Sequence, residues 1–258
     1  MLEFDAATTE ILERAYQGAD FARRRRASFD ALAPGPSDHI LDIGCGNGLM
    51  TAELALAVGS DGQVSGIDSS AQMLEAARAR VSGMPWVTFH EAQAGALPLL
   101  DQSADGAVAL QVFEYIADIG PALAEAARVL RPGARLVIGD MLFSTLHWAS
   151  DDPGLMERMD RSWASHVAHR DLPALLPPAM AEAGFAVEDV RPLTFLDHRL
   201  RPDGLAAMML ILMERFAVTN RHVTPEEARV WSEEQIARAA SGRFHFALTH
   251  VVTTGRRL

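Results

Sequence analysis

The stretch HILDIGCGNG, His39–Gly48, puts three glycines within five residues directly after a short apolar run. A tight turn needs only one glycine. Three leave a length of main chain with no side chains to hold a ligand away. The surrounding pattern limits what the chain can fold into. LMTAELALAV (Leu49–Val58) has helical spacing, QVSGIDSS reads as a second strand, and AQMLEAARARV as a second helix. WVTFHEA and DGAVALQVFEY read as third and fourth strands, IGPALAEAARVL as a helix, and the turn RPGA leads into a fifth strand, RLVIGDML. Short, continuously apolar strands alternating with helices predict a doubly wound α/β fold, its parallel sheet covered on both faces.

After about Met141 the rhythm changes. Residues 144–182 read as helices with loops, and AGFAVEDVRPLTFLDH as a sixth strand. A Met-rich amphipathic helix is expected over Leu205–Val218, and another opens at TPEEARVW. There Thr224 is a good N-cap, Pro225 a good first residue, and Glu227 completes a capping box. GRFHFALTHVVTTGRR alternates and reads as a last strand. With no linker or repeat, the expectation is one domain over 1–258: a ligand-binding core at 33–140 and helical insertions at 141–182 and 199–240.

The 258 residues carry a formal net charge of -11, which argues against a broad electropositive footprint for nucleic acid. The one basic run, Arg23–Arg26, cannot form a single patch on a helix, because consecutive residues point in different directions. A solvated helix with one inward arginine is expected there. The single cysteine, Cys45, excludes an intrachain disulfide. It reads as a small residue packed under the loop. No apolar run approaches the roughly 18 residues of a membrane span. The acidic N-terminus, MLEFDAATTE, lacks a signal-type core. A cytoplasmic protein with small-molecule partners is expected, with a homodimer left open.

A glycine loop between a first strand and a first helix exposes main-chain N–H groups at a helix N-terminus. A dinucleotide site wants G-x-G-x-x-G. Here the glycines are Gly44, Gly46 and Gly48, and Leu49 occupies the place of the third dinucleotide glycine. That departure counts against NAD and FAD. Asp68 closes the second strand, 68 − 48 = 20 residues beyond the last glycine. A carboxylate there can accept from both ribose hydroxyls. By itself it would read as a strand-end cap for the next helix, but the glycine loop at this spacing favours ribose.

LDIGCGNG, GIDSSAQMLEAAR, ALPLLDQSADGAV and EAARVLRPGARLVI, taken in order, resemble the motifs of class I S-adenosylmethionine-dependent methyltransferases. The last two are similar to those of the ubiquinone/menaquinone-biosynthesis-type small-molecule branch. The resemblance covers 33–140 and continues weakly to the final strand. It implies a Rossmann-like, seven-stranded, mostly parallel sheet with an antiparallel last strand and helical insertions forming a lid. It implies S-adenosyl-L-methionine as cofactor and S-adenosyl-L-homocysteine as product. Gly44, Gly46 and Gly48 would flank the methionine part, and Asp42 would hold its amino group through water. Asp68 would take the ribose hydroxyls with Ser69 beside it. Met73 would cover an adenine face, its competing reading being a helix core residue. The loop after the third strand usually reads GDA. Here it is AQA, so Gln93, with Ala94 next to it, would serve adenine. Gln111 would line the methionine end.

In-line transfer needs a held nucleophile and the exclusion of water. A phenol or alcohol also benefits from a base of near-neutral pKa. His147, which follows the fifth strand, is the first candidate, then Tyr115, where the family often has His, then His166. For each histidine a surface or hydrogen-bonded role competes. His166 and His169 have i, i+3 spacing, but no metal is expected. Trp148, Trp163, Phe143 and the Met-rich helix suggest an apolar or aromatic acceptor. The function expected is methyl transfer to a small molecule on O, C or N. The alternatives are a non-catalytic S-adenosylmethionine-binding module and, further behind, an NAD(P)-dependent oxidoreductase.

Overall fold

In the computed structural model, which describes residues 16–258, the apolar run before the glycines is strand β1, His39–Ile43. Helix α1 (Ala19–Leu32) precedes it and helix α2 (Leu49–Val58) follows the glycines. Then come β2 (Gln63–Asp68), α3 (Ala71–Arg80), β3 (Val87–Glu91), β4 (Ala104–Leu110), α4 (Ile119–Val129) and β5 (Leu130–Trp148). Helices α5 (Pro153–Ala164) and α6 (Leu172–Glu182) lead to β6 (Phe185–Asp197). The chain ends with α7 (Leu205–Thr219), α8 (Pro225–Ala240) and β7 (Phe246–Arg257). The seven strands form one sheet in the order β3-β2-β1-β4-β5-β7-β6. Pairs β1–β2, β1–β4, β2–β3 and β4–β5 are parallel, and the last strands are antiparallel. The reading of MLEFDAATTE lies outside the described residues.

The described chain divides into two compact units. The core unit comprises Arg25–Met141, Asp171–Pro192 and Val251–Leu258. Its strands are apolar on both sides because helices cover both. Ile40, Val108 and Val137 join one buried cluster with Met50 and Leu54 of α2. Their strand neighbours Leu41, Ala107, Leu136 and Ile138 join the other, with Leu123 of α4 and Leu176 of α6. Period-two alternation thus splits two cores across one sheet. Strand order reverses at the β1/β4 junction, the place where open α/β sheets bind ligands beyond the carboxyl ends of their strands.

The other unit comprises the described residues up to Arg24, with Leu142–Arg170 and Leu193–His250. Trp148 is its aromatic centre, edge-on to Trp231, Phe244 and Phe246 at 5.4, 5.9 and 4.8 Å. The expected capping box opens α8: Glu227 N–H donates to Thr224 Oγ1 at 3.2 Å, and Thr224 N–H donates to Glu227 Oε2 at 2.8 Å. Asp20 receives both Arg201 Nη2 at 2.6 Å and the Leu205 N–H at 3.0 Å, so it closes the N-terminus of α7.

Two expectations need correction. The fifth strand does not stop at Leu142 but runs to Trp148, because Thr145 Oγ1 accepts from Thr249 N–H and Ala149 N–H donates to His245 O, both at 2.9 Å. The basic run turns two arginines inward rather than one. Arg24 is buried with its guanidinium 4.7 Å from the centre of the Phe21 ring, and Arg25 pairs with Glu53 at 2.9 Å.

Candidate cofactor site

All three loop glycines have left-handed φ: +68° at Gly44, +52° at Gly46 and +79° at Gly48. Their surroundings differ. A Cβ on Gly44 would lie 2.2 Å from Val112 Cγ2, and one on Gly48 would lie 2.9 Å from Ala77 Cβ on α3. These two are bare because the protein packs against them. A Cβ on Gly46 would meet no atom within 4 Å. Gly46 therefore keeps open a cradle that a side chain would fill. The loop is pinned on both sides of it: Cys45 N–H donates to Ile67 O at 2.9 Å, and Arg80 Nε donates to Asn47 O at 2.8 Å. Cys45 itself is buried under the loop, and burial together with the Asp42 and Asp68 charges pushes its thiol up, far from nucleophilic use.

Asp68 reaches the loop directly. Its Oδ2 accepts from Gly46 N–H at 2.8 Å, and its Oδ1 accepts from Ser70 N–H at 2.9 Å. The capping reading is thus real, yet each oxygen has met only one donor and has capacity for another. Ser69 is exposed, and Ser70 is the N-cap of α3. Met73 is 45% exposed on the first turn of α3, so it is not a core residue. Ala92 N–H donates to Asp68 O at 3.1 Å, which ties the β3 loop to the end of β2. In that loop Gln93 is exposed and Ala94 packs against the core. Gln111, after β4, has φ +56° and its N–H donates to Gly139 O at 2.8 Å. Tyr115 is exposed in the short turn that follows.

Asp42 lies beneath the loop, 1% exposed, and accepts from Thr51 Oγ1 at 2.6 Å. Burial pushes its carboxyl up to about 7; the Thr51 hydrogen bond opposes the rise and the Asp68 charge adds to it. A carboxyl whose pKa rises on folding stabilises the fold below its unfolded value near 3.8, and the contribution is lost as pH climbs through about 7. Asp42→Asn removes the charge and keeps an oxygen for Thr51. It is expected to raise Tm relative to wild type above about pH 8 and to leave it unchanged near pH 4. Thermal melts across that range check this; a difference independent of pH would contradict it.

The two candidate histidines lie in the other unit. His147 is exposed, its ring edge-on to His245 at 5.5 Å. It lines a cleft of about 430 Å³ with Leu146, Trp148, Pro153, Met156 and Asp160. His166 stacks on Trp163 with ring centres 3.7 Å apart, and its Nδ1 bonds to Trp163 O. Since the carbonyl only accepts, that nitrogen carries the proton. Burial lowers the His166 pKa to about 4, so the ring is neutral near pH 7 and a weak base. Among the described residues no three His, Cys, Asp or Glu side chains form a group that could hold a metal ion. Trp148 and Trp163 are both buried core residues of this unit.

Residues 41–138 match the family described as methyltransferase domain. That stretch carries the match to a methyltransferase domain. The match starts in β1 and ends in β5, so the methyltransferase domain coincides with the strands that build the glycine loop and carry Asp68. An uncharacterized 37.1 kDa protein in transposon TN4556 of Streptomyces fradiae is 41% identical over 88% of this chain and 65% of its own length. O-methyltransferase cnsE of Penicillium expansum is 41% identical over 66% of this chain and 59% of its own length. The chain thus spans less than two thirds of either relative. The crystal structure of YcgJ protein from Bacillus subtilis shares the fold, with TM-score 0.61 and 19% identity over 92% of this chain and 98% of that one. Sequence reasoning missed one residue of the methyltransferase domain, Glu114, fully buried beside Gln111. Its signal was a lone charge inside the apolar run VALQVFEY.

Proposed function

We propose that this protein transfers the methyl group of S-adenosylmethionine to a small apolar or aromatic molecule. The observation that carries the reading is the Gly46–Asp68 pair. An open cradle over bare main chain stands hydrogen-bonded to a carboxylate one strand away that retains acceptor capacity. The methyltransferase family of residues 41–138 uses this cofactor, and the donor set fits it. Asp68 would accept from the ribose hydroxyls, Met73 would cover an adenine face, and Gln93 would serve the adenine edge with Ala94 beneath. The backbone of Gly44–Gly48 and the Gln111 side chain would hold the amino-acid end, with Asp42 behind them through water. Bound there, S-adenosylmethionine supplies a methyl carbon that is electrophilic without further activation.

The protein's remaining tasks are to hold the acceptor in line, exclude water and receive a proton where the acceptor loses one. We assign those tasks to 141–182 and 199–240. An oxygen acceptor agrees with the name of the Penicillium relative. His147, exposed on a cleft whose walls mix Trp148 and Met156 with Glu157, Asp160 and Arg238, is the first candidate to receive the proton, ahead of Tyr115 and the weakly basic His166. A single cysteine suits a reducing, cytoplasmic setting.

Calorimetric titration with S-adenosylmethionine, S-adenosylhomocysteine and NADH tests the cofactor. Tight NADH binding without response to the sulfonium would end this reading. Methyl transfer from labelled cofactor to a panel of phenols, quinols, amines and acids separates a catalyst from a binding module. His147→Ala is expected to lower turnover about 10²-fold or more while leaving cofactor affinity unchanged. Equal turnover removes His147 from the mechanism.

A further inference from the structure

Glu114 sits in the turn Phe113–Tyr115 after β4 and is fully buried. A carboxylate is tolerated there only if donors meet its oxygens. Oε1 accepts from the side-chain amide of Gln111 at 3.3 Å, and Oε2 accepts from the Met141 backbone N–H at 3.2 Å. The amide nitrogen of Gln111 faces that oxygen, which turns the amide oxygen away. Glu114 therefore bridges the turn after β4 to β5 and orients Gln111 at the same time.

Gln111 itself holds a backbone conformation, φ +56°, that non-glycine residues seldom adopt. Such a conformation persists only where the surroundings over-determine it. Here the restraints are its N–H on Gly139 O, its side chain on Glu114, and the turn bond from Tyr115 N–H to Val112 O at 3.1 Å. The same turn touches the glycine loop. Val112 methyl groups occupy the space of a Gly44 side chain, 2.2 and 2.9 Å from where its Cβ would be.

We propose that Glu114 is a positioning residue: by bridging Gln111 and Met141 it fixes the turn after β4 against the glycine loop, and so sets both Gln111 and the Gly44–Gly46 main chain for the amino-acid end of the cofactor. This rests on the cofactor reading above. Its action runs through Gln111 and Val112.

The test is a double-substitution cycle on the 258-residue chain, read as Kd for S-adenosylhomocysteine alongside Tm. Glu114→Gln keeps the shape and one acceptor oxygen but cannot accept on both sides. It is expected to raise Kd about tenfold with little change in Tm. Gln111→Gly adopts positive φ without restraint and has no amide to orient. In that background Glu114→Gln is expected to change Kd by a clearly smaller factor, because only the route through Val112 is left. Equal fold-losses in both backgrounds would overturn the positioning role, since they describe a packing residue, and so would an unchanged Kd in the single variant. Should Glu114→Gln fold poorly, Val112→Ala gives the same reading by trimming the contact on the loop: a raised Kd supports the coupling and an unchanged Kd overturns it. A wild-type chain that does not bind S-adenosylhomocysteine overturns the cofactor reading, and this role with it. Wild-type binding with independent losses overturns this role alone.

Discussion

Asp68→Ala is expected to weaken binding of S-adenosylhomocysteine about 10- to 100-fold, the loss of about 1–3 kcal/mol that follows when buried polar partners go unpaired. Two effects contribute, and the structure says how to separate them. The side chain offers acceptor capacity toward a ribose. It also holds Gly46 N–H at 2.8 Å and Ser70 N–H at 2.9 Å, so its removal loosens the loop and the first turn of α3. Titration with a 2′-deoxy analogue divides the two. Wild type should lose affinity for the analogue, and Asp68→Ala should bind analogue and parent alike. An Asp68→Ala protein that keeps wild-type affinity refutes the ribose role. A protein that weakens both ligands by the same factor assigns Asp68 to anchoring the loop instead.

The positions of Gly46 and Asp68 were legible because one follows β1 and the other closes β2, and a parallel register brings the ends of adjacent strands together. The direct bond between them was not, since spacing gives proximity but not which donor fills which oxygen. The boundaries of α2 and the Thr224 capping box were legible for a local reason: strand, turn and cap chemistry act within a few residues. The extension of β5 was hidden because its partner, β7, lies about a hundred positions further along the chain and residues 143–148 look loop-like without it. The inward turn of Arg24 and Arg25 was hidden likewise, since Phe21 and Glu53 decide it and the run itself does not. Of the two readings of Met73, the core one falls because the first turn of α3 presents it to solvent. Glu114 could be flagged as an odd charge, but its role needs Gln111 and Met141 in place around it.

Gly44→Ala and Gly46→Ala should fail in different ways. At Gly44 the new methyl group would lie 2.2 Å from Val112 Cγ2 and φ is +68°, so clash and backbone strain combine. A loss of stability on the order of 3 kcal/mol or more is expected, with cofactor affinity falling as a consequence of the damaged fold. At Gly46 only the backbone term applies to the fold, about 1–2 kcal/mol for an L residue at positive φ. The protein should remain folded with a moderately lowered Tm. Its methyl group, however, projects into the cradle, where no protein atom lies within 4 Å, and S-adenosylhomocysteine affinity should drop more than about tenfold. Thermal melts and calorimetry on the two variants give four numbers, and their pattern matters more than any one of them. If Gly46→Ala stays folded and binds as wild type does, the bare main chain at that residue serves no ligand. The left-handed turn would then be needed only to bring Gly44 and Gly48 against Val112 and Ala77, and the case for a cofactor seat would have to stand on Asp68 alone.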